Sequence, residues 1–311
     1  FFYMFSVIFP GQGSQTIGMG KEFFDNYKIV KELFHEADEA LKIKLSKIIL
    51  EGPKEKLDLT INTQPAIFLV SFAIFNVIKK EFNIDLNKAM YFAGHSLGEY
   101  SALSSSGYLN FSDTIKLLRI RGKAMQEAVP KNEGGMLAIL GTSIEEIEKI
   151  IINNKDNVKI YIANDNSDGQ IVVSGQSDDL IKFSNILKLS KIKNIKLPVS
   201  APFHCLLMNR ATEIMKEEIE KIKFIDGKNI LISNVSAGEI KDKENLKKLL
   251  IDQIESRVRW RESIIYMIDK GTKEFIEIGP GKVLSGLIKR INKDIKINTI
   301  NNETDIRNLK I

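Results

Sequence analysis

The amino-acid sequence predicts an α/β protein built on a mostly parallel sheet. Strand-like apolar runs alternate with helix-like segments from Met4 to about Ala128, the order that lays parallel strands side by side with helices on both faces. A G-x-S-x-G sequence, Gly94-His95-Ser96-Leu97-Gly98, follows the apolar segment Ala89 to Ala93, where a strand should hand over to a helix. The chain has 311 residues, 43% of them hydrophobic, enough for one large core and a smaller one.

Met4 to Pro10 is β-branched and aromatic and reads as a strand running into the loop Gly11-Gln12-Gly13-Ser14-Gln15. Helix-like segments follow. The longest apolar run, Ala66 to Ile78, is interrupted by Ser71 and Asn76 and falls short of the ~20 residues that cross a bilayer. It reads as a buried core helix near 65 to 82, with Thr63 as cap and Pro65 in its first turn. After the strand Ala89 to Ala93 the G-x-S-x-G turn leads into a helix from Leu97 to Ser104. Glu99 falls in its first turn, where a carboxylate suits the helix dipole. Another helix is expected from Phe111 to Ala128.

Pro130-Lys131-Asn132-Glu133-Gly134-Gly135 marks a boundary. Beyond it the pattern is strand (Met136 to Leu140), helix (Ser143 to Asn153), strand (Val158 to Ala163), strand (Gln170 to Ser174), helix (Asp178 to Leu189) and strand (Lys193 to Val199). That β-α-β-β-α-β order is the ferredoxin-like signature. Residues 130–198 are therefore predicted as a small inserted subdomain, and 1–129 with 199–311 as a discontinuous large domain. The chain returns through Pro198-Val199-Ser200-Ala201-Pro202-Phe203-His204. A strand near Ile230 to Ser233, a long helix from about Glu244 through Met267, the strand Phe275 to Ile278, the turn Gly279-Pro280-Gly281 and a last helix and strand complete it. A cleft between the two domains is the natural place for a ligand.

The net charge is +5 with 27% charged residues, and the lysines are spread instead of clustered. That is too mild for nucleic acid and suits an acidic partner or a phosphorylated ligand. One cysteine excludes an internal disulfide framework, and three scattered histidines offer no zinc-type spacing. No metal is expected, and a reducing compartment fits. Phe1-Phe2-Tyr3-Met4-Phe5 lacks the charged start and cleavage pattern of a secretory signal. Heavy use of Lys, Asn and Ile, with a start other than Met, favours a plastid stroma over a bacterial cytoplasm.

In a G-x-S-x-G elbow the serine sits on a strained turn, its hydroxyl above the sheet, and the next N–H faces an incoming carbonyl oxygen. Ser96 is thus the candidate nucleophile and Leu97 the donor of one oxyanion N–H. A serine hydroxyl needs a base. His35 lies among charged residues and reads as a surface residue; His95 adjoins the nucleophile and should point away from it. His204, on the loop where the large domain resumes, is the remaining candidate. Cys205 follows it, but adjacent side chains rarely face each other, and the thiol reads as a small buried hydrophobe. The loop after the first strand has Thr16 where a G-x-G-x-x-G fingerprint needs glycine, and no Walker lysine follows. Its glycines are better used to bring backbone N–H groups, including that of Gln12, to the elbow as the other half of an oxyanion hole. Arg119 and Arg121 sit two apart on a helix and diverge by about 200°, so only one can face the cleft. An arginine buried beside a serine nucleophile would be a fork for a carboxylate, and the alternative is a solvated surface pair.

Taken together, Phe9-Pro10-Gly11-Gln12-Gly13-Ser14-Gln15, Gly94-His95-Ser96-Leu97-Gly98-Glu99-Tyr100, Arg119-Ile120-Arg121-Gly122, Glu133-Gly134-Gly135-Met136, Ala201-Pro202-Phe203-His204-Cys205, Val258-Arg259-Trp260 and Glu277-Ile278-Gly279-Pro280-Gly281 stand in a recognisable order. From about Phe5 to Asn301 the chain resembles the malonyl-CoA:acyl carrier protein transacylases of type II fatty acid synthesis. The stretch Ile251 to Arg257 departs from the pattern usual before Trp260.

The resemblance implies an α/β-hydrolase-like core with the inserted ferredoxin-like subdomain. It implies Ser96 as nucleophile, His204 as base, Arg121 on the malonyl carboxylate, and Gln12 and Leu97 as oxyanion donors. Gln253 would orient the base through its main-chain carbonyl, so that a Ser–His dyad needs no aspartate, and Asn164 would lie near the site. The expected reaction is ping-pong transfer through a malonyl-serine ester, with no cofactor beyond the substrates malonyl-CoA and the phosphopantetheine arm of the carrier. The expected partner is an acidic acyl carrier protein, with no nucleic acid or membrane, and the enzyme is expected to be a monomer. A serine hydrolase or thioesterase on the same core is the first rival, against which Arg121 and Phe203 would shape a pocket for a small carboxylated acyl group. An idle docking module is the second, and the intact Ser96 and His204 argue against it.

Overall fold

The strand β1 (Phe5–Phe9) is buried at all five positions, as a run of apolar residues covered on both faces requires. In the structure, a computed structural model describing residues 4–199 and 201–311, this strand is the middle of a parallel sheet. Phe1 to Tyr3 and Ser200 of the expected return segment lie outside the described residues. The helices α1 (Lys21–Asn26), α2 (Lys28–Leu41), α3 (Leu45–Glu51) and α4 (Lys54–Leu57) follow β1 and turn Phe23, Phe34, Leu45, Ile49 and Leu57 into the main core.

The central helix α5 (Thr60–Lys80) begins earlier than its proline suggests. Thr63 is not its cap: its hydroxyl donates to the Leu57 carbonyl at 2.6 Å from within the helix. Pro65 sits in the second turn and has no N–H to offer the Ile61 carbonyl four residues back. Arg119 supplies the missing donor, with Nη1 3.2 Å from Ile61 O and a second hydrogen bond to Asn62 Oδ1. The helix is long and apolar enough to cross a membrane, yet 83% of its apolar stretch is buried within the protein.

Next come β2 (Tyr91–Gly94), α6 (Gly98–Ser105) and α7 (Phe111–Glu127), the last packed along α5. A four-stranded antiparallel sheet then forms from β3 (Gly134–Leu140), β4 (Ile160–Ser167), β5 (Gln170–Gln176) and β6 (Lys193–Lys196), in the order β4-β5-β3-β6. Two helices, α8 (Ile144–Asn153) and α9 (Ser177–Leu189), accompany it; with the sheet they enclose a separate core around Leu137, Ile139, Ile147, Val173 and Phe183. The edge strand β6 stops before Val199: Leu197 N–H still reaches Met136 O at 3.0 Å, but Pro198 has no N–H to continue the ladder.

The chain returns as α10 (Asn209–Lys221), β7 (Ile230–Leu231), α11 (Lys243–Asp252), α12 (Trp260–Asp269), β8 (Glu274–Ile278), α13 (Val283–Ile291), β9 (Lys296–Ile300) and α14 (Glu303–Arg307). The parallel sheet has five strands in the order β7-β2-β1-β8-β9. The expected long helix from Glu244 to Met267 is two helices, because tertiary pairing overrides local propensity between them. Val258 is drawn into an extended bridge beside β4: its N–H donates to Ala163 O at 2.8 Å and its carbonyl accepts from Asp165 N–H at 3.0 Å. That break leaves the Gln253 carbonyl free of the helix ladder.

Candidate active site

The elbow between β2 and α6 is a close contact of backbones. A Cβ on Gly94 would lie 1.9 Å from Gly98 O, and one on Gly98 would lie 2.3 Å from Phe9 O, so both flanking positions must be glycine. Ser96 between them holds φ at 54°, a left-handed conformation that the surroundings must enforce. One carboxamide does so: Ser96 N–H donates to Asn234 Oδ1 at 2.7 Å, and Asn234 Nδ2 donates to Gly94 O at 2.8 Å. Asn234 follows β7 and was not foreseen. The rule that sites collect at the carboxyl ends of parallel strands is the signal that could have found it.

His204 also has a left-handed φ, 57°. The Ser96 hydroxyl donates to its Nε2 at 2.8 Å, while its Nδ1 faces Gln253 O at 2.9 Å. Since a carbonyl can only accept, Nδ1 carries the proton and Nε2 is the free acceptor. Burial first, and then the charge of Arg121, push the imidazole down to about 3, so it is neutral above that pH and ready to accept. Of the other histidines, His35 is exposed beside Glu39 on α2, and His95 turns away to Asn166 Oδ1 at 2.8 Å. Cys205 is buried with its thiol on Pro202 O, and burial pushes that thiol up to about 12.

Arg121 is fully buried. Its Nη2 donates to Ser96 Oγ at 3.2 Å and to Gln253 Oε1 at 2.8 Å, and Nη1 donates to Gln64 Oε1 at 2.8 Å. The guanidinium also lies 5.5 Å from the centre of the Tyr100 ring, within cation–π range. Among the described residues no carboxylate forms an ion pair with it. Arg119 donates instead to Ile61 O and Asn62 Oδ1 near the start of α5, so the two arginines are not a solvated pair.

Gln253 is the junction of the site. Besides its two acceptor oxygens, its Nε2 donates to Glu99 Oε2 at 2.7 Å and approaches Ser96 O at 3.1 Å. Glu99, expected only to suit a helix dipole, is fully buried, and its Oε2 also accepts from Asn234 N–H at 3.0 Å. Burial is the largest influence on this carboxyl and raises it to about 7. Gln64 ends the polar run Asn62-Thr63-Gln64 and Asn234 follows Ser233, so nothing in the local sequence distinguishes either from an ordinary polar helix start or loop.

A cavity of about 220 Å³ opens over Ser96 and His204. Gln12, Leu97, Asn164 and Phe203 all line it, with Met136, Val172 and Leu197 forming an apolar wall. Neither the Gln12 nor the Leu97 N–H has an acceptor among the described residues, whereas the neighbouring N–H groups of Gly13, His95 and Ser96 are all engaged. Free donors beside a nucleophile are what a developing oxyanion needs. A wider cleft of about 850 Å³, lined by the 129–134 and 196–199 linkers, touches neither Ser96 nor His204. Among the described residues no group of three or more His, Cys, Asp or Glu side chains is placed to hold a metal ion.

Known proteins similar to this chain cover nearly its whole length. The family model described as acyl transferase domain matches residues 6–304. A malonyl CoA-acyl carrier protein transacylase of Bacillus subtilis is 46% identical over 292 residues, 93% of this chain and 90% of the relative. The crystal structure of an acyl-carrier-protein-S-malonyltransferase from Bartonella henselae superposes with a TM-score of 0.95 at 42% identity, covering 98% of this chain and 97% of the other. A malonyl-transacylase solved in complex with its type II PKS acyl-carrier protein gives a TM-score of 0.94 at 34% identity, covering 98% of each chain.

Proposed function

We propose, from the premise that the chain belongs to the acyl transferase domain family, that it transfers a malonyl group from malonyl-CoA to the phosphopantetheine thiol of acyl carrier protein. The observation that carries this reading is Arg121. A fully buried guanidinium 3.2 Å from the Ser96 hydroxyl, with no carboxylate in direct contact among the described residues, calls for an acyl group that brings one.

Ser96 passes its proton to His204 Nε2 as its oxygen attacks the thioester carbonyl. The oxyanion is held by the N–H groups of Gln12 and Leu97 while the Gln253 carbonyl steadies the imidazolium. The carbon–sulfur bond breaks, the CoA sulfur takes the proton from His204, and a malonyl ester remains on Ser96. The carrier thiol then gives its proton to His204 and attacks the ester. Collapse of the second tetrahedral intermediate returns that proton to Ser96. Arg121 lowers the basicity of His204, so a malonyl carboxylate that answers Arg121 also strengthens the base. No step requires a cofactor beyond the two substrates. We expect the chain to work as a monomer, and the net charge of +5 suits an acidic carrier.

Intact-protein mass after mixing with malonyl-CoA tests the reading. We expect a stable gain of one malonyl group. CoA release with no adduct would indicate a hydrolase, and no reaction would indicate a docking module.

A further inference from the structure

Glu99 is a buried acid that the transfer chemistry does not use. It lies in the first turn of α6 with no exposed surface, a position that is costly for a carboxylate unless something needs its charge. Its Oε2 accepts from Gln253 Nε2 at 2.7 Å and from Asn234 N–H at 3.0 Å, while Oε1 has no partner among the described residues. The same Gln253 carboxamide accepts from Arg121 through its oxygen at 2.8 Å. A guanidinium only donates and an ionised carboxylate only accepts, so these two neighbours fix which way the amide points. Through one amide, then, the buried cation is linked to a buried anion. The backbone carbonyl of that same residue orients His204, and Asn234 clamps the Ser96 turn.

We propose that Glu99, as a carboxylate, is the positioning residue of the site: acting through Gln253 and Asn234, it holds Arg121, His204 and the Ser96 elbow in register and balances the charge of Arg121 until a substrate carboxylate arrives. The inference rests on the malonyl-transfer reading.

The ionised groups around it set the pH behaviour. The charged and titratable groups that act on Glu99 are Arg121 from α7 and Tyr100 from its own helix; Gln253 and Asn234 are neutral, and the two histidines of the site are hydrogen-bonded elsewhere, His95 to Asn166 and His204 to Ser96 and Gln253. Tyr100 is pushed up to about 12, His204 is held near 3, and His95 is lowered by burial. Glu99, raised to about 7, is thus the one of these that changes charge near neutrality. If the carboxylate is required, kcat/KM rises with pH through that value, since this ratio reports groups on the free enzyme.

The test begins by establishing the malonyl ester on Ser96 by mass, then follows kcat/KM for malonyl-CoA from pH 5.5 to 8.5 in wild type and Glu99→Gln, with thermal melting to compare their folding. We expect wild type to lose activity on the acid side near pH 7. Glu99→Gln should be about tenfold or more slower at pH 8 and flat across the range. An acid limb at the same pH in Glu99→Gln, or an unchanged rate, overturns the role. Should that variant fail to fold, proton uptake by wild type on malonylation, read with a pH indicator, decides. Bringing a second anion to Arg121 should make Glu99 take up part of a proton per ester at pH 7 and none at pH 5.5. No uptake at pH 7 overturns it. Absence of the ester itself would instead fell the transfer reading, and this inference with it.

Discussion

The parallel and the antiparallel sheet face the same cavity and contribute different things to it. From the parallel sheet and its covering helices come Ser96, Leu97, Gln12, Arg121 and Glu99, and Ser96, Arg121 and Glu99 are locked by hydrogen bonds of 2.7 to 3.2 Å. The antiparallel sheet presents Met136, Val172 and Asn164 as lining. The first wall holds Ser96 in a backbone conformation that only dense packing tolerates, and the second presents side chains from strands, with Asn164 at a register shift of β4 against β5. On the malonyl-transfer reading, chemistry would be built where the fold is over-determined, and acyl-group shape would be set where side chains can be exchanged at small cost.

Breaking the first wall should give the largest effects. Ser96→Ala should abolish ester formation with the melting temperature little changed, checked by intact mass; labelling at wild-type stoichiometry would remove Ser96 from its role. His204→Ala should slow acylation by about 10³-fold or more, measured in single turnover. A rate within a few-fold of wild type would require another base. Arg121→Ala should lower kcat/KM for malonyl-CoA by about a hundredfold while leaving acetyl-CoA equal or improved, since a buried guanidinium with no carboxylate in direct contact no longer opposes the neutral acyl group. Lysine should rescue only in part, lacking the planar fork. Arg119→Ala should leave the ratio of the two thioesters unchanged, and a shift there instead of at Arg121 would exchange their roles.

The second wall should yield the smallest effect. Val172→Ala should change discrimination between malonyl and a methyl-branched malonyl thioester by about tenfold at most, with the rate of malonyl transfer nearly kept. A loss as large as that of Arg121→Ala would erase the distinction between the walls.

Most of this arrangement could be read in advance where local chemistry dictates it. The elbow announces itself because Gly94 and Gly98 leave no room for a side chain, and β1 and the Ala66 to Ile78 stretch of α5 are mostly apolar. What was not legible depended on distant backbone. Pro65 looked like a helix start because the donor that rescues Ile61 O is a side chain 58 positions away. The helix predicted through Gln253 breaks because Val258 is claimed by β4. Glu99 at the start of a helix gives the same pattern whether it faces solvent or lies under the nucleophile.

The bridge at Val258 ties the two walls together mechanically. Two backbone hydrogen bonds join it to β4, and the Arg261 guanidinium grips Asp165 one residue along at 3.0 Å, while the covalent linkers close the far side. Spreading the walls apart would rupture all of these at once. The cavity is therefore a slot of set width, and on the malonyl-transfer reading acyl groups would be sorted by whether they fit it and not by how far it closes over them. The amide protons of Val258 and Asp165 should accordingly be among the slowest in the molecule to exchange with deuterium, whether or not Ser96 carries its ester.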